Sequence, residues 1–127
     1  MQNNAALAYQ KVGTQTASPR VLEANLLSRA ATQLQRIRDD WENSGSEVQN
    51  ALHFNRRLWM IFLNSVLADD CQLPRELREN IGNLGLFVMK HTIATQTRPE
   101  AQKLDVLINI NRQLAAGLRA SAEALER

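Results

Sequence analysis

The chain predicts an all-α fold, a single-domain helical bundle of about four long helices, and three observations carry that prediction. Apolar residues recur at three- and four-residue intervals along most of its length, the repeat of one helix face. Only 5 Gly and 3 Pro punctuate 127 residues, too few for a sheet with many turns. No segment keeps a strict apolar–polar alternation, so no strand is expected. A chain of this length buries about two-thirds of the surface it would expose unfolded, and needs neither metal nor disulfide to hold together.

The elements follow in order. Ser18-Pro19 starts the first helix, with Ser as N-cap and Pro at the first helical position, where a missing N–H costs nothing. Leu27, Ala31, Leu34, Ile37 and Trp41 form its apolar face, and Asn43-Ser44-Gly45 ends it. Ser46 and Gln49 have the spacing of a capping box and open a second helix that runs to about Ala68. Asp69 to Leu73 form a loop. Pro74 starts the third helix, with Glu76 and Glu79 early, where the helix dipole favours them. Its stripe is Leu77, Ile81, Leu84 and Val88. Thr97-Arg98-Pro99-Glu100 is another capping box, so a fourth helix begins there and fades near Leu118. This divides the chain into an N-terminal segment 1–17, a bundle domain 18–119 and a frayed tail 120–127. The N-terminal segment is either a short helix around Ala5 to Val12 or mobile.

Composition narrows the function classes. Fifteen basic and thirteen acidic residues give a net charge of +2, with the signs interleaved instead of gathered. A nucleic-acid binder normally concentrates its basic charge on one face. His53 and His91 fall on different helices without spaced carboxylates, so no metal site is expected. Cys71 has no base beside it, and its acidic neighbours Asp69 and Asp70 disfavour a thiolate. With no glycine-rich phosphate loop and no Ser/His/Asp constellation, no catalytic residue, no cofactor site and no enzyme activity are expected. Gly82 and Gly85, inside the third helix, are read as allowing close helix approach. No apolar run reaches the ~20 residues of a membrane span, and the amino terminus carries no secretory pattern. One unpaired cysteine fits a reducing compartment, so a cytoplasmic location is the default.

Two Asn residues sit where apolar side chains belong. Asn55 lies in line with Val48, Leu52, Trp59, Phe62 and Val66; Asn111 lies in line with Leu104, Leu107, Ile108, Leu114, Ala115 and Leu118. An unbonded buried amide costs about 1–3 kcal/mol, so each needs a partner. Three uses fit: a hydrogen bond within the chain that fixes register, a contact to a partner, or an exposed site on a misassigned stripe. The first is favoured, and mutual pairing is open to two amides that each donate and accept.

The second helix carries more apolar surface than one face can hide. Beside its main stripe runs another, Phe54, Leu58, Ile61 and Ala68, and only Gln49, His53, Arg56 and Asn64 form a polar strip. The third helix repeats this in Leu84-Gly85-Leu86-Phe87-Val88-Met89. Four helices cannot easily enclose both, so apolar surface is expected to remain for a partner. The partner-binding candidates are Phe54, Asn55, Arg56, Arg57, Leu58, Ile61, Asn111 and Arg112.

At these same residues the chain resembles the flagellar biosynthesis regulator FlaF family. The likeness rests on Tyr9 with Ser18-Pro19-Arg20 and on Leu34-Gln35-Arg36-Ile37-Arg38-Asp39-Asp40-Trp41. It continues through Asn55-Arg56-Arg57-Leu58-Trp59, Leu73-Pro74 and Asn80-Ile81-Gly82-Asn83-Leu84-Gly85-Leu86-Phe87-Val88. It closes on Leu104-Asp105-Val106-Leu107-Ile108-Asn109-Ile110-Asn111-Arg112 and Ala115-Ala116-Gly117-Leu118. The resemblance implies a small cytoplasmic protein needed for flagellin production or export, acting with flagellin as a secretion chaperone in a circuit with the translation regulator FlbT. It implies no catalytic residues. The leading expectation is therefore a chaperone that holds an amphipathic flagellin helix in an apolar groove. The alternatives are a regulator of flagellin translation acting through FlbT or RNA, and a homodimeric structural module. Direct RNA contact would need Arg36, Arg56, Arg57, Arg75 and Arg78 on one face.

Overall fold

The computed structural model describes residues 19–126; most of them are helical and none forms a strand. Four long helices run as α1 (Pro19–Asp39), α2 (Val48–Leu67), α3 (Arg75–Thr97) and α4 (Leu104–Glu126). A single helical turn, Trp41–Ser44, and a 3-10 turn, Gly45–Glu47, link α1 to α2; a second 3-10 turn, Ala101–Lys103, leads into α4. The all-α expectation is met. The segment 1–17, including the alternative of a helix around Ala5 to Val12, lies outside the described residues, as does Ser18 as a cap.

Cross-helix bonds define the topology. α1 runs antiparallel to α2, since Arg20 donates to Ser65 Oγ at one end while Arg36 meets Glu47 at the other. It also runs antiparallel to α4: Arg38 pairs with Asp105, Arg112 donates to Gln35, and Arg119 donates to Asn25 and Ser28. Small buried residues, Ala24, Ala30 and Ala31 on α1 with Ala115 and Ala122 on α4, line the buried faces of these two helices. The core is completed by Leu27, Leu34 and Ile37, by Val48, Leu52, Trp59, Phe62 and Val66, and by Leu104, Leu107 and Leu118. Trp59 meets Phe62 edge to face at 5.6 Å between ring centroids. Trp41 is half-buried against this core.

Helix ends depart from the sequence expectation, and each departure has a local cause. α1 stops at Asp39 because Asp40 leaves the helical region at φ −125°, ψ 46° and binds the next turn. Its carboxylate accepts from Asn43 Nδ2 at 2.9 Å and Ser44 Oγ at 3.3 Å, and its carbonyl accepts the Ser44 N–H at 2.7 Å. The Ser46/Gln49 capping box does not form. Ser46 sits inside the 3-10 turn, and Gln49 Nε2 reaches the Gln96 carbonyl at the far end of α3 instead. The Thr97/Glu100 box is absent too, since Thr97 ends α3 and its hydroxyl donates back to the Ile93 carbonyl at 2.9 Å. Pro99 holds Arg98 out of the α region, and Lys103 Nζ satisfies the Arg98 carbonyl at 2.7 Å. The last helix does not fade near Leu118. It continues to Glu126, because Leu118 and then Ala122 remain on the buried face, so most of the predicted frayed tail is helix.

No glycine closes α2. Arg78 does so from α3, donating Nε to the Val66 carbonyl at 2.9 Å and Nη2 to the Ala68 carbonyl at 3.0 Å. One guanidinium thus satisfies two carbonyls that the helix end would leave unpaired, with a cation where the dipole favours one. Two exposed ion pairs staple α1 to its neighbours, Arg36–Glu47 at 2.9 Å and Arg38–Asp105 at 2.7 Å. Hydrogen bonding to these arginines lowers the carboxyl pKa of Glu47 and Asp105. What the pairs add is therefore present above the ordinary carboxylate range and lost as pH falls through the lowered folded values.

α3 packs mainly on α2 and is buried along a narrow strip, Ile81, Gly85, Val88, Thr92 and Thr95. Gly85 sets the approach. A Cβ there would lie 2.6 and 2.7 Å from the two Leu63 methyls, whereas nothing stands within 4 Å of a Cβ at Gly82. Of the two glycines expected to permit close packing, only Gly85 does so. Gly82→Ala is therefore expected to raise stability by up to about 1 kcal/mol, the helix-propensity difference. Gly85→Val is expected to lower it by about 1–3 kcal/mol through overpacking. Urea unfolding of the two variants beside the parent checks both signs.

Candidate functional site: a buried amide pair beneath an apolar groove

α2 has two working faces, and its sequence period separates them. The inward face carries Asn55, whose side-chain oxygen accepts from Asn111 Nδ2 on α4 at 2.7 Å. Asn111 Oδ1 in turn accepts from the Trp59 indole N–H at 2.9 Å. Both Asn residues are 0% exposed, so each lies on the stripe the sequence assigned and their amides pair with each other. The chain Trp59–Asn111–Asn55 is directional: an indole that can only donate meets an amide oxygen, which leaves the Asn111 NH₂ facing Asn55. Asn55 Nδ2 is the one buried side-chain polar atom without a partner among the described residues, at a cost of about 1–3 kcal/mol.

The outward face of α2 forms a groove with α1. A depression of about 510 Å³ is lined by Leu26 from α1 and by Asn50, His53, Phe54, Arg57, Leu58 and Ile61 from α2. A second, of about 690 Å³, continues along α1 past Arg29, Thr32, Gln33 and Arg36 and shares Leu26 and Phe54. Leu58 forms the floor at 6% exposed, while Phe54 and Ile61 stand up at 37% and 66%. Leu22, one turn before Leu26, is exposed as well.

Of the eight sequence candidates, the groove gathers Phe54, Arg57, Leu58 and Ile61. Asn55 and Asn111 lie in the interior, holding α2 against α4. Arg56 is exposed but lines neither depression. Arg112 sits on α4, bonded to Gln35 at 3.3 Å. Leu26 and Arg29 were missed, and Arg36 was considered only as an RNA contact, because they face the groove only through the α1–α2 packing. Leu22 and Leu26, four apart and off the main α1 stripe, were the available signal. Of the five arginines of the RNA alternative, Arg36 and Arg57 line these depressions and Arg56, Arg75 and Arg78 do not. Arg36 pairs with Glu47, Arg75 with Glu79 on α3, and Arg78 is committed to backbone carbonyls.

α3 exposes further apolar surface at Leu86, Phe87 and Ile93, with Phe87 stacked on His91 at 5.5 Å. One His91 ring nitrogen lies 2.6 Å from the Lys103 carbonyl, and no group of three or more His, Cys, Asp and Glu among the described residues is placed to hold a metal ion. No helix among them is long and apolar enough to cross a membrane.

The site is thus defined by an open, helix-walled apolar groove on an all-α domain. The chain belongs to the FlaF family: the family model described as flagellar protein FlaF matches residues 5–118. No curated protein and no solved structure matches the chain. It is a flagellar-family protein.

The amide chain makes a distinct stability prediction. Asn111→Ala strands both the Trp59 N–H and the Asn55 oxygen, and is expected to cost about 3 kcal/mol. Asn55→Ala strands only Asn111 Nδ2 and removes an unpaired donor, so about 1–2 kcal/mol is expected. Denaturant midpoints at unchanged m-value give the order of the two.

Proposed function

We propose that the protein is a flagellin-binding secretion chaperone, acting in the cytoplasm by holding a partner helix without catalysis and feeding into control of flagellin synthesis alongside FlbT. One observation carries the reading: the open groove in which Leu26, Phe54, Leu58 and Ile61 present apolar surface between two antiparallel helices. Membership of a flagellar family supports the choice of cargo.

The physics suits helix-in-groove capture. Both walls are α-helices whose backbone groups are internally bonded, so a strand would find no edge to pair with. An amphipathic segment laid on this floor buries its stripe and cannot associate prematurely with other subunits. Release before export requires modest affinity, micromolar to high nanomolar, about −8 to −10 kcal/mol. Arg57, at the rim, orients the polar side of the cargo.

Titration of monomeric flagellin into the protein, followed by calorimetry, is expected to show one-to-one binding; absence of a complex at about 100 µM rejects the reading. Ile61→Asp is the informative variant, because Leu58 is nearly buried and a charge there would unfold the chain. It should weaken binding by at least about tenfold, the effect of about 1.4 kcal/mol. Leu86→Asp, equally exposed but on α3, should not. Sedimentation over a concentration series separates this from a homodimer closing the groove with a second copy.

A further inference from the structure

We propose that the α1–α2 groove selects its helix by charge as well as by apolarity: the segment it takes carries carboxylates flanking its apolar stripe, met by Arg29 on one bank and Arg57 on the other. The inference rests on the groove being a helix-binding site and adds the chemistry of what it binds.

Charge around the groove is unlike charge elsewhere. The chain as a whole interleaves fifteen basic with thirteen acidic residues. Yet the residues lining the two joined depressions include Arg29, Arg36, Arg57 and His53 and no carboxylate. Arg36 is already neutralised by Glu47 at one end, and Arg20, beyond the other, by Glu23 at 3.0 Å. Arg29 and Arg57 enter no ion pair among the described residues. Two uncommitted guanidiniums therefore flank the apolar floor, one contributed by each helix.

Docking any helix would strip water from both groups. A neutral or basic cargo leaves them desolvated against an apolar surface or beside like charge, which is unfavourable. Carboxylates on the cargo's flanks accept the planar guanidinium fork, often through two parallel hydrogen bonds, and offset that cost. The span from Asn50 to Ile61 along α2 is about 16 Å at 1.5 Å per residue, so the recognised segment is about three helical turns long.

The test uses two synthetic amphipathic helices of about 16 residues with one apolar stripe, flanked by Glu in one and by Lys in the other. Anisotropy titration is expected to show the Glu helix binding at least about tenfold more tightly at low salt, the gap narrowing as salt screens exposed charge. The double variant Arg29→Glu/Arg57→Glu should reverse the preference while keeping its circular dichroism, both positions being exposed. Equal binding of the two helices, or a preference unmoved by the reversal, overturns the inference. So does displacement of the Glu helix by single-stranded RNA, which would assign the arginines to phosphate. Flagellin titrations keep the two readings apart. Capture lost in Ile61→Asp but untouched by the charge reversal overturns the acidic-cargo inference alone. A Glu helix that binds where flagellin does not overturns the flagellin reading alone.

Discussion

The hydrogen-bond chain from Trp59 through Asn111 to Asn55 is the constraint on which the arrangement of α2 depends. Apolar contacts between α2 and α4 have no strong preference among registers, because sliding by one turn places Leu near Leu again. An indole N–H that can be satisfied only by the Asn111 oxygen, and an Asn111 donor that finds the Asn55 oxygen, admit one register. The free Asn55 Nδ2 shows that the network is not optimised for stability. Its effect is positional, as with buried polar residues that specify alignment in helical assemblies.

That alignment decides what faces outward. With Asn55, Trp59 and Phe62 held inward, the second apolar stripe of α2 must point toward the α1 edge, where Leu26 meets it. A rotation of α2 large enough to hide Ile61 would draw Asn55 away from Asn111 and leave buried amides and an indole unpaired. The exposed apolar groove is thus enforced by the polar interior beneath it. Surface that is costly to expose in a monomer is kept in place by groups still costlier to unpair, the kind of local conflict that binding sites carry.

The inward stripes were legible in the sequence because burial on a helix follows a simple period: every assigned stripe residue of α2 and α4 is buried, both asparagines included. The helix boundaries were less so. Ser46, Gln49, Thr97 and Glu100 have capping spacing, but short polar side chains take whichever partner the tertiary fold supplies, and Gln49 and Thr97 found other carbonyls. Arg78 closing α2 from ten and twelve residues away has no local signature at all. Half of the groove was hidden for the same reason. Leu26 and Arg29 look like ordinary surface on α1 until α2 is laid beside them.

The narrow seam by which α3 is attached has a consequence for how the molecule breathes. Among the described residues α3 contributes only Ile81 and Val88 to the buried apolar core, and it is otherwise held through the Gly85 notch, the Arg78 clasp and the Gln49–Gln96 and His91–Lys103 bonds. Fewer buried apolar side chains mean a lower free energy of partial opening, so α3 is expected to open as a unit of its own. Its backbone amides should exchange with solvent deuterium through detachment of the whole helix, long before the three-helix remainder yields.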